Sequence, residues 1–337
     1  MSTTAYGAEP IDPIGVPNGS TVAAAENASG RGAFSKEIAM QTNQSDYMVR
    51  ATALDGRVRA FALNATGVAA ELQRRHGTWP AVSAALGRTA MGALLLAAAS
   101  LKEEDQSLSV EVKGGGPAGR LLVTANGRGE VRGLVSNPQV HADSRNGKLN
   151  VSGVVGGDGY LSVTRNLGMR DTYSGMVELQ SGEIGDDLAY YLFKSEQTPS
   201  AVGVGVFVVP DGSVDAAGGY LVQLLPGLDD DEIREIEGRL RELPHPTKLI
   251  QEGTTPEGVL ERVFPDGFEL LDRYPVAFRC PCSRERFSSA IVSLGEEEIR
   301  RIIDEEENES TEVVCHFCNE AYHFSPSEME EILAAAR

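Results

Sequence analysis

Cys280-Pro281-Cys282 and Cys315-His316-Phe317-Cys318 hold all four cysteines of this 337-residue chain, with 32 residues between the two pairs. Four unrelated core cysteines would scatter along the sequence; these fall as one C-x-C and one C-x-x-C. Each pair offers two sulfurs to one point, and two such pairs make a tetrahedral four-thiolate site for which zinc is the default metal. Cys280, Cys282, Cys315 and Cys318 are therefore the candidate metal ligands. The absence of cysteine elsewhere suits a reducing cytosol better than a secreted disulfide framework.

Outward from the cysteines, the 58 residues from Cys280 on carry 14 acidic and 5 basic side chains. A unit so small and so charged rarely holds itself together by core burial alone. Zinc binding, worth roughly 10–16 kcal/mol of folding free energy, would dominate its stability. Two helices are expected there, one behind the Ser293-x-x-Glu296 box and one behind Ser325-Pro326-x-Glu328.

The rest of the chain sets the class. A hydrophobic content of 41% is ordinary for a globular protein, and the length suggests two or three domains. A net charge of −19 lacks the basic footprint of a nucleic-acid binder, although zinc ribbons often serve such proteins. The longest apolar run, Met91 to Ala99, is about half a membrane span. Residues 1–45 are rich in small and polar types and have no apolar period; they read equally as a disordered extension or as an over-long gene model, and fit neither a secretory signal nor a transit peptide.

From Tyr47 the pattern becomes regular. Val49 to Leu63 reads as strands about an Asp55-Gly56 turn, and Thr66–His76 and Pro80–Leu101 as helices, the second buried. Alternation then marks strands at Leu108 to Val112, Leu121 to Ala125, Val131 to Ser136, Leu149 to Val155, Tyr160 to Arg165 and Tyr173 to Gln180. A helix at Ile184 to Glu196 and strands at Ala201–Val209 and Ala217–Leu224 complete an α+β domain over 46–226. Residues 227–279 read as a linker of short amphipathic helices, with Ile233, Ile236, Leu240 and Leu243 on one face and Val259, Leu260, Val263 and Phe264 on another. Residues 280–337 form the zinc-binding domain.

Several signals have plain structural readings. Gly114 to Gly119 spells G-x-G-x-x-G, but a strand follows and Pro117 interrupts it, so a hairpin connection is expected. Glu183, Asp186 and Asp187 suit the first turn of a helix rather than acid–base work. His316 and His323 flank the second cysteine pair, where four thiolates already fill the site.

The cysteine pairs also suggest a switch. Residues two or three apart can reach disulfide geometry, and Arg279, Arg284 and Arg286 near the first pair favour thiolate. Oxidising either pair would remove two of four ligands, and with the metal most of the folding energy of the unit. A thiol–disulfide oxidoreductase and a purely structural zinc ribbon are the rival readings; the first lacks a thioredoxin-like βαβ context.

Several stretches resemble the 33 kDa chaperonin family, the bacterial redox-regulated holdases. In the C-terminal part they are Phe278-Arg279-Cys280-Pro281-Cys282-Ser283-Arg284-Glu285-Arg286, Ser293-Leu294-Gly295-Glu296-Glu297-Glu298, and the Cys315-His316-Phe317-Cys318-Asn319-Glu320 run with Tyr322 and Phe324. In the core, Tyr173-Ser174-Gly175-Met176-Val177-Glu178-Leu179 runs into Ser181-Gly182-Glu183-Ile184-Gly185-Asp186-Asp187-Leu188-Ala189-Tyr190-Tyr191 and Ser195-Glu196-Gln197-Thr198-Pro199. Asp46-Tyr47-Met48-Val49-Arg50-Ala51-Thr52-Ala53 resembles a family start, so the likeness spans about 46–337. It implies a cytoplasmic, ATP-independent chaperone and not an enzyme. Reduced, such a protein holds one Zn²⁺ per chain and is an inactive monomer. Oxidised, it forms the redox-active disulfides Cys280–Cys282 and Cys315–Cys318, loses zinc, dimerises and binds unfolded client proteins. It implies neither nucleic acid nor membrane as a partner.

Overall fold

The computed structural model describes residues 46–145, 147–168, 172–305 and 310–336. The extension at 1–45 lies outside the described residues. A tight hairpin begins the described chain: β1 (Tyr47–Ala53) pairs antiparallel with β2 (Val58–Asn64). The turn passes through Leu54, Asp55 and Gly56, all at positive φ. Helices α1 (Thr66–His76) and α2 (Pro80–Ser100) follow. Gly77, left-handed at φ 58°, ends α1 with its N–H on the Gln73 carbonyl, and Pro80 pre-sets the first turn of α2.

Next come β3 (Ser107–Lys113), β4 (Arg120–Asn126), β5 (Glu130–Val135), α3 (Val151–Val155), β6 (Tyr160–Asn166), β7 (Tyr173–Glu178), α4 (Gly185–Lys194), β8 (Ser200–Val208) and β9 (Val214–Leu224). The segment expected as a strand at 149–155 is instead the short helix α3. Val151, Val154 and Val155 fall on one helical face and are fully buried, and Asn150 caps the turn by accepting the Gly153 N–H. Here packing overrides the strand preference of valine. The glycine-rich stretch is the β3–β4 connection; it runs so close to the end of α3 that a Cβ at Gly114 would stand 2.5 Å from the Val155 carbonyl oxygen.

Beyond Pro226 lie α5 (Asp230–Glu242), α6 (Pro246–Gln251), α7 (Pro256–Val263), β10 (Glu269–Pro275) and β11 (Ala277–Phe278). The linker expected to be helical throughout thus ends in two strands. Leu270, Leu271 and Asp272 are exposed, so no alternating pattern announces them. They are strands because neighbouring strands offer open edges. The last elements are α8 (Arg284–Val292), α9 (Glu296–Glu305), β12 (Thr311–Val314), β13 (Ala321–Phe324) and α10 (Pro326–Ala335). Three helices stand where two were expected. Ser293 is not a cap opening α9 but the end of α8, where its hydroxyl donates to the Ser289 carbonyl, and Gly295 at φ 86° makes the break. The Ser325 box forms as expected.

The strands build a five-stranded sheet in the order β10-β1-β2-β9-β8 and a six-stranded sheet in the order β11-β5-β4-β3-β6-β7. Helix α2 packs between them, against β8, β9 and β2 of one and β3, β4 and β5 of the other. By length and mean hydropathy α2 would suit a membrane span, yet 94% of its apolar window is buried inside the protein. Its Ala and Gly content lets both sheets approach closely. The outer face of the five-stranded sheet is covered too. Tyr47, Val49, Ala51, Val58, Ala60 and Val222 pack there against Ile236, Leu249, Val259, Leu260, Val263 and Phe264 of the linker helices.

Candidate metal centre

Two backbone turns carry the four sulfurs. Cys315 to Glu320 is the loop of the β12–β13 hairpin, whose last register pair is Val314 with Ala321. Cys315 accepts the N–H groups of Cys318 and Asn319 on its carbonyl, and its own N–H reaches the Glu320 carbonyl. Asn319 sits at φ 55°, a left-handed position that asparagine tolerates. Cys280 and Cys282 occupy the loop between β11 and α8, stopped by Ser283, which accepts the Arg286 N–H and caps the helix.

These turns bring the four Sγ atoms within 4.8 Å of one another. Cys280 and Cys315 sulfurs are 3.7 Å apart, and those of Cys282 and Cys318 3.3 Å. Ligands at the usual 2.3 Å around a tetrahedral zinc would stand about 3.8 Å apart. The four cysteines can therefore hold a metal ion, and an all-sulfur tetrahedral donor set fits zinc. Neither histidine joins them: His316 is exposed, and exposed His323 lies 3.5 Å from Glu312.

Residues around the sulfurs come largely from elsewhere. Arg132 on β5 donates from Nη1 to Cys280 Sγ at 3.6 Å and stacks over the Phe317 ring at 4.2 Å. The Tyr322 hydroxyl donates to Cys282 Sγ at 3.3 Å. Of the arginines expected to favour thiolate, Arg279 pairs with Glu130 and Arg284 with Glu328, while Arg286 is exposed. Arg132 takes that role beside Cys280. Burial pushes the Cys280 thiol up, but the Cys282 N–H and the Arg132 guanidinium outweigh it and hold the thiol down at about 7. Burial pushes Cys315 and Cys318 up. Tyr322 is raised by its bond to Cys282.

The cysteine unit is tied to the two-sheet body at the end of α1. Arg75 Nη1 donates to the Cys318 carbonyl at 3.1 Å and pairs with Glu320 at 3.5 Å. His76 Nε2 lies 2.8 Å from the Gly133 carbonyl oxygen and 3.2 Å from that of Phe317. Two carbonyl partners require a proton on Nε2, and burial lowers the His76 pKa, so the ring donates as neutral imidazole. Asn319 returns a bond to the Arg75 carbonyl. Sequence reasoning missed Arg75, His76 and Arg132; no motif marks them. The one signal, for Arg75 and His76, is that they follow Arg74 at a helix end, a common macrodipole pattern.

Two of the acidic residues at the start of α4 make structural contacts. The buried carboxylate of Asp187 accepts the N–H groups of Gln180, Ser181 and Ile184, which shapes the turn into α4. Glu183 binds Arg88 at 2.7 Å.

A two-sheet α+β body carrying a C-terminal four-cysteine cluster is a distinctive combination, and the chain is similar to known proteins over most of its length. The pattern of the Hsp33 protein family matches residues 46–325, and the chain belongs to that family. A 33 kDa chaperonin of Bacillus subtilis (strain 168) is 54% identical over 286 residues, which are 85% of this chain and 97% of that protein. The 33 kDa chaperonin of Geobacillus kaustophilus (strain HTA426) is 49% identical over 294 residues, 87% of this chain and 99% of the relative. The crystal structure of a 33 kDa chaperonin (heat shock protein 33 homolog) from Thermotoga maritima superposes with a TM-score of 0.79 at 35% identity, covering 86% of this chain and 98% of that one. The membership makes this a chaperone-family protein, in agreement with the resemblance read from its motifs.

Proposed function

We propose that this protein is a cytoplasmic, ATP-independent holdase switched by oxidation of its zinc centre. Three parts carry the work: the body at 46–226, the linker at 227–279 and the zinc unit at 280–337. The observation that carries the reading is the convergence of four sulfurs within 4.8 Å in a unit with little core of its own. Among the described residues its buried apolar cluster is Ile291, Ile299, Phe324, Met329, Ile332 and Leu333. Bound zinc would supply most of the stability there, held by Cys280, Cys282, Cys315 and Cys318.

On oxidation, each cysteine pair loses two electrons and forms one S–S bond. Two molecules of peroxide accept the four electrons and, with four protons, leave as four waters while zinc is released. We assign the disulfides as Cys280–Cys282 and Cys315–Cys318. All four sulfurs are near one another while the unit is folded, but only residues joined by a short tether stay close once it loosens.

Loss of the metal then melts the unit, and the linker follows because its last strand ends at Phe278, two positions before Cys280. Helices α5–α7 lift from the outer face of the five-stranded sheet and bare Tyr47, Val49, Ala51 and Val222. That apolar face binds unfolded clients through the hydrophobic effect. The oxidised form dimerises; the reduced form is the closed monomer.

The experiment measures zinc release and suppression of a reporter's thermal aggregation together, without ATP, before and after peroxide at elevated temperature. Both should appear in one step and reverse with reductant plus zinc. Suppression with zinc retained, or zinc loss without suppression, would sink the proposal.

A further inference from the structure

Residues 269–279 run as a strap from one sheet to the other. On its first side β10 pairs antiparallel with β1, with Asp272 opposite Arg50 and Tyr274 opposite Met48. On its second side β11 pairs parallel with β5, placing Ala277 beside Glu130 and Phe278 beside Val131. Between the two, the Val276 N–H reaches the Asp46 carbonyl and the Ala277 N–H the Gly129 carbonyl. The strap therefore closes an edge of both sheets at once, and Cys280 begins immediately behind it.

The first half of the strap is lightly held on β1. Leu270 and Leu271 are 46% and 51% exposed, and the pairing is broken by a register shift between Arg50 and Ala51. The main side-chain ties are Asp272 to Arg50 at 3.0 Å, the Arg273 guanidinium over the Tyr47 ring and the Tyr274 hydroxyl on Met48 Sδ. That first half, held mainly by its backbone, can be exchanged for another extended run with little loss of side-chain contact, while Tyr274, Val276 and Phe278 pack on the core and keep the closed strap in place.

We propose that, in the oxidised holdase, the strap leaves and the β1 edge takes up an extended segment of the unfolding client by strand addition. This rests on the proposed function, and it specifies how the bared body grips its client. Loss of β10 and β11 would leave open rows of N–H and C=O groups on β1 and β5, the features that capture extended chains. The strap itself shows what the β1 edge accepts: a short extended run, apolar in part, with a carboxylate opposite Arg50. Departure of Asp272 leaves Arg50 without its ion pair, and its Nε is already buried without a hydrogen-bond partner. Unfolding chains present such runs, whereas folded proteins keep theirs paired.

The test uses the full oxidised chain and two heptapeptides with the sequence of residues 269–275, one unmodified and one N-methylated at alternate residues to remove N–H donors facing β1. Each competes with a heat-unfolded reporter, and hydrogen exchange is followed across 47–53. The unmodified peptide should displace the client, and the methylated one should compete about tenfold or more weakly, since several hydrogen bonds are lost. Client binding should restore protection at 47–53 that oxidation had removed. Equal competition by the two peptides, with 269–278 released and aggregation suppressed, overturns strand addition and leaves the holdase reading standing. Protection of 47–53 in oxidised protein without client assigns the edge to a second copy of this chain and overturns the client as occupant. Oxidised protein that keeps 269–278 protected overturns the strap and the holdase mechanism together.

Discussion

Arg132 on β5 donates to the sulfur of Cys280 at 3.6 Å, across 148 positions of sequence, while its guanidinium covers Phe317 in the other cysteine turn. One body residue thus touches both halves of the metal centre. Arg75 and His76, at the end of α1, hold the Cys318 and Phe317 carbonyls beside it. The centre is in this way bonded to the part of the protein that it is proposed to control.

Arg132→Ala should raise the Cys280 thiol pKa from about 7 toward its ordinary value near 9, because a cation favouring the thiolate is removed. Protons compete with zinc for the sulfurs, so a higher thiol pKa should move the acid release of zinc to higher pH in the variant. Zinc release followed while the pH of reduced, zinc-loaded protein is lowered reads the shift, and an unchanged release midpoint in the variant would remove Arg132 from this role.

Cys315→Ser with Cys318→Ser should abolish zinc binding, from one ion per chain to none. Hydrogen exchange should then rise across 280–336 and the linker, while α2 and the strands around it stay protected. Metal analysis alongside exchange checks both halves.

Leu260→Ala removes a fully buried side chain between linker and sheet, and should cost about 2–5 kcal/mol at that contact. Because the loss falls on the closed form, aggregation suppression should set in at a lower temperature or peroxide dose than in the wild type. The onset temperature, measured with zinc content, separates early opening from general unfolding.

A protein starting at Asp46 should fold and suppress aggregation as the full chain does. Asp46 itself should matter: its carboxylate accepts the Gly67 and Val68 N–H groups at 3.0 and 2.6 Å, capping α1 from outside the helix. Asp46→Ala should cost roughly 1 kcal/mol, the usual worth of a helix N-cap. Thermal melts of the two proteins test the pair of statements.

Oxidised protein should carry its disulfides within the pairs. Proteolysis followed by mass spectrometry should find Cys280 joined to Cys282 and Cys315 to Cys318. Cross-pair products such as Cys280–Cys315 as the dominant species would refute the assignment and imply oxidation inside a still-folded centre.

Much of this protein can be read from its residues alone because the signals are local. Two cysteine turns mark a candidate metal centre by spacing, whatever surrounds them. Gly77 and Pro80 mark helix ends through backbone sterics, and strict alternation in Leu108, Val110 and Val112 marks a half-buried strand. These depend on neighbours within a few positions, so they survive without knowledge of the fold.

The tertiary structure decided everything that needed a distant partner. Val151 to Val155 is a helix because three valines find a buried face there, and residues 269–278 are strands because β1 and β5 present edges to them. The arginine beside Cys280 is Arg132 rather than its sequence neighbours, since Arg279 and Arg284 find carboxylates within reach. Hydrogen bonds and ion pairs go to the groups nearest in space, and chain order says little about which those are when the partners lie over a hundred residues apart.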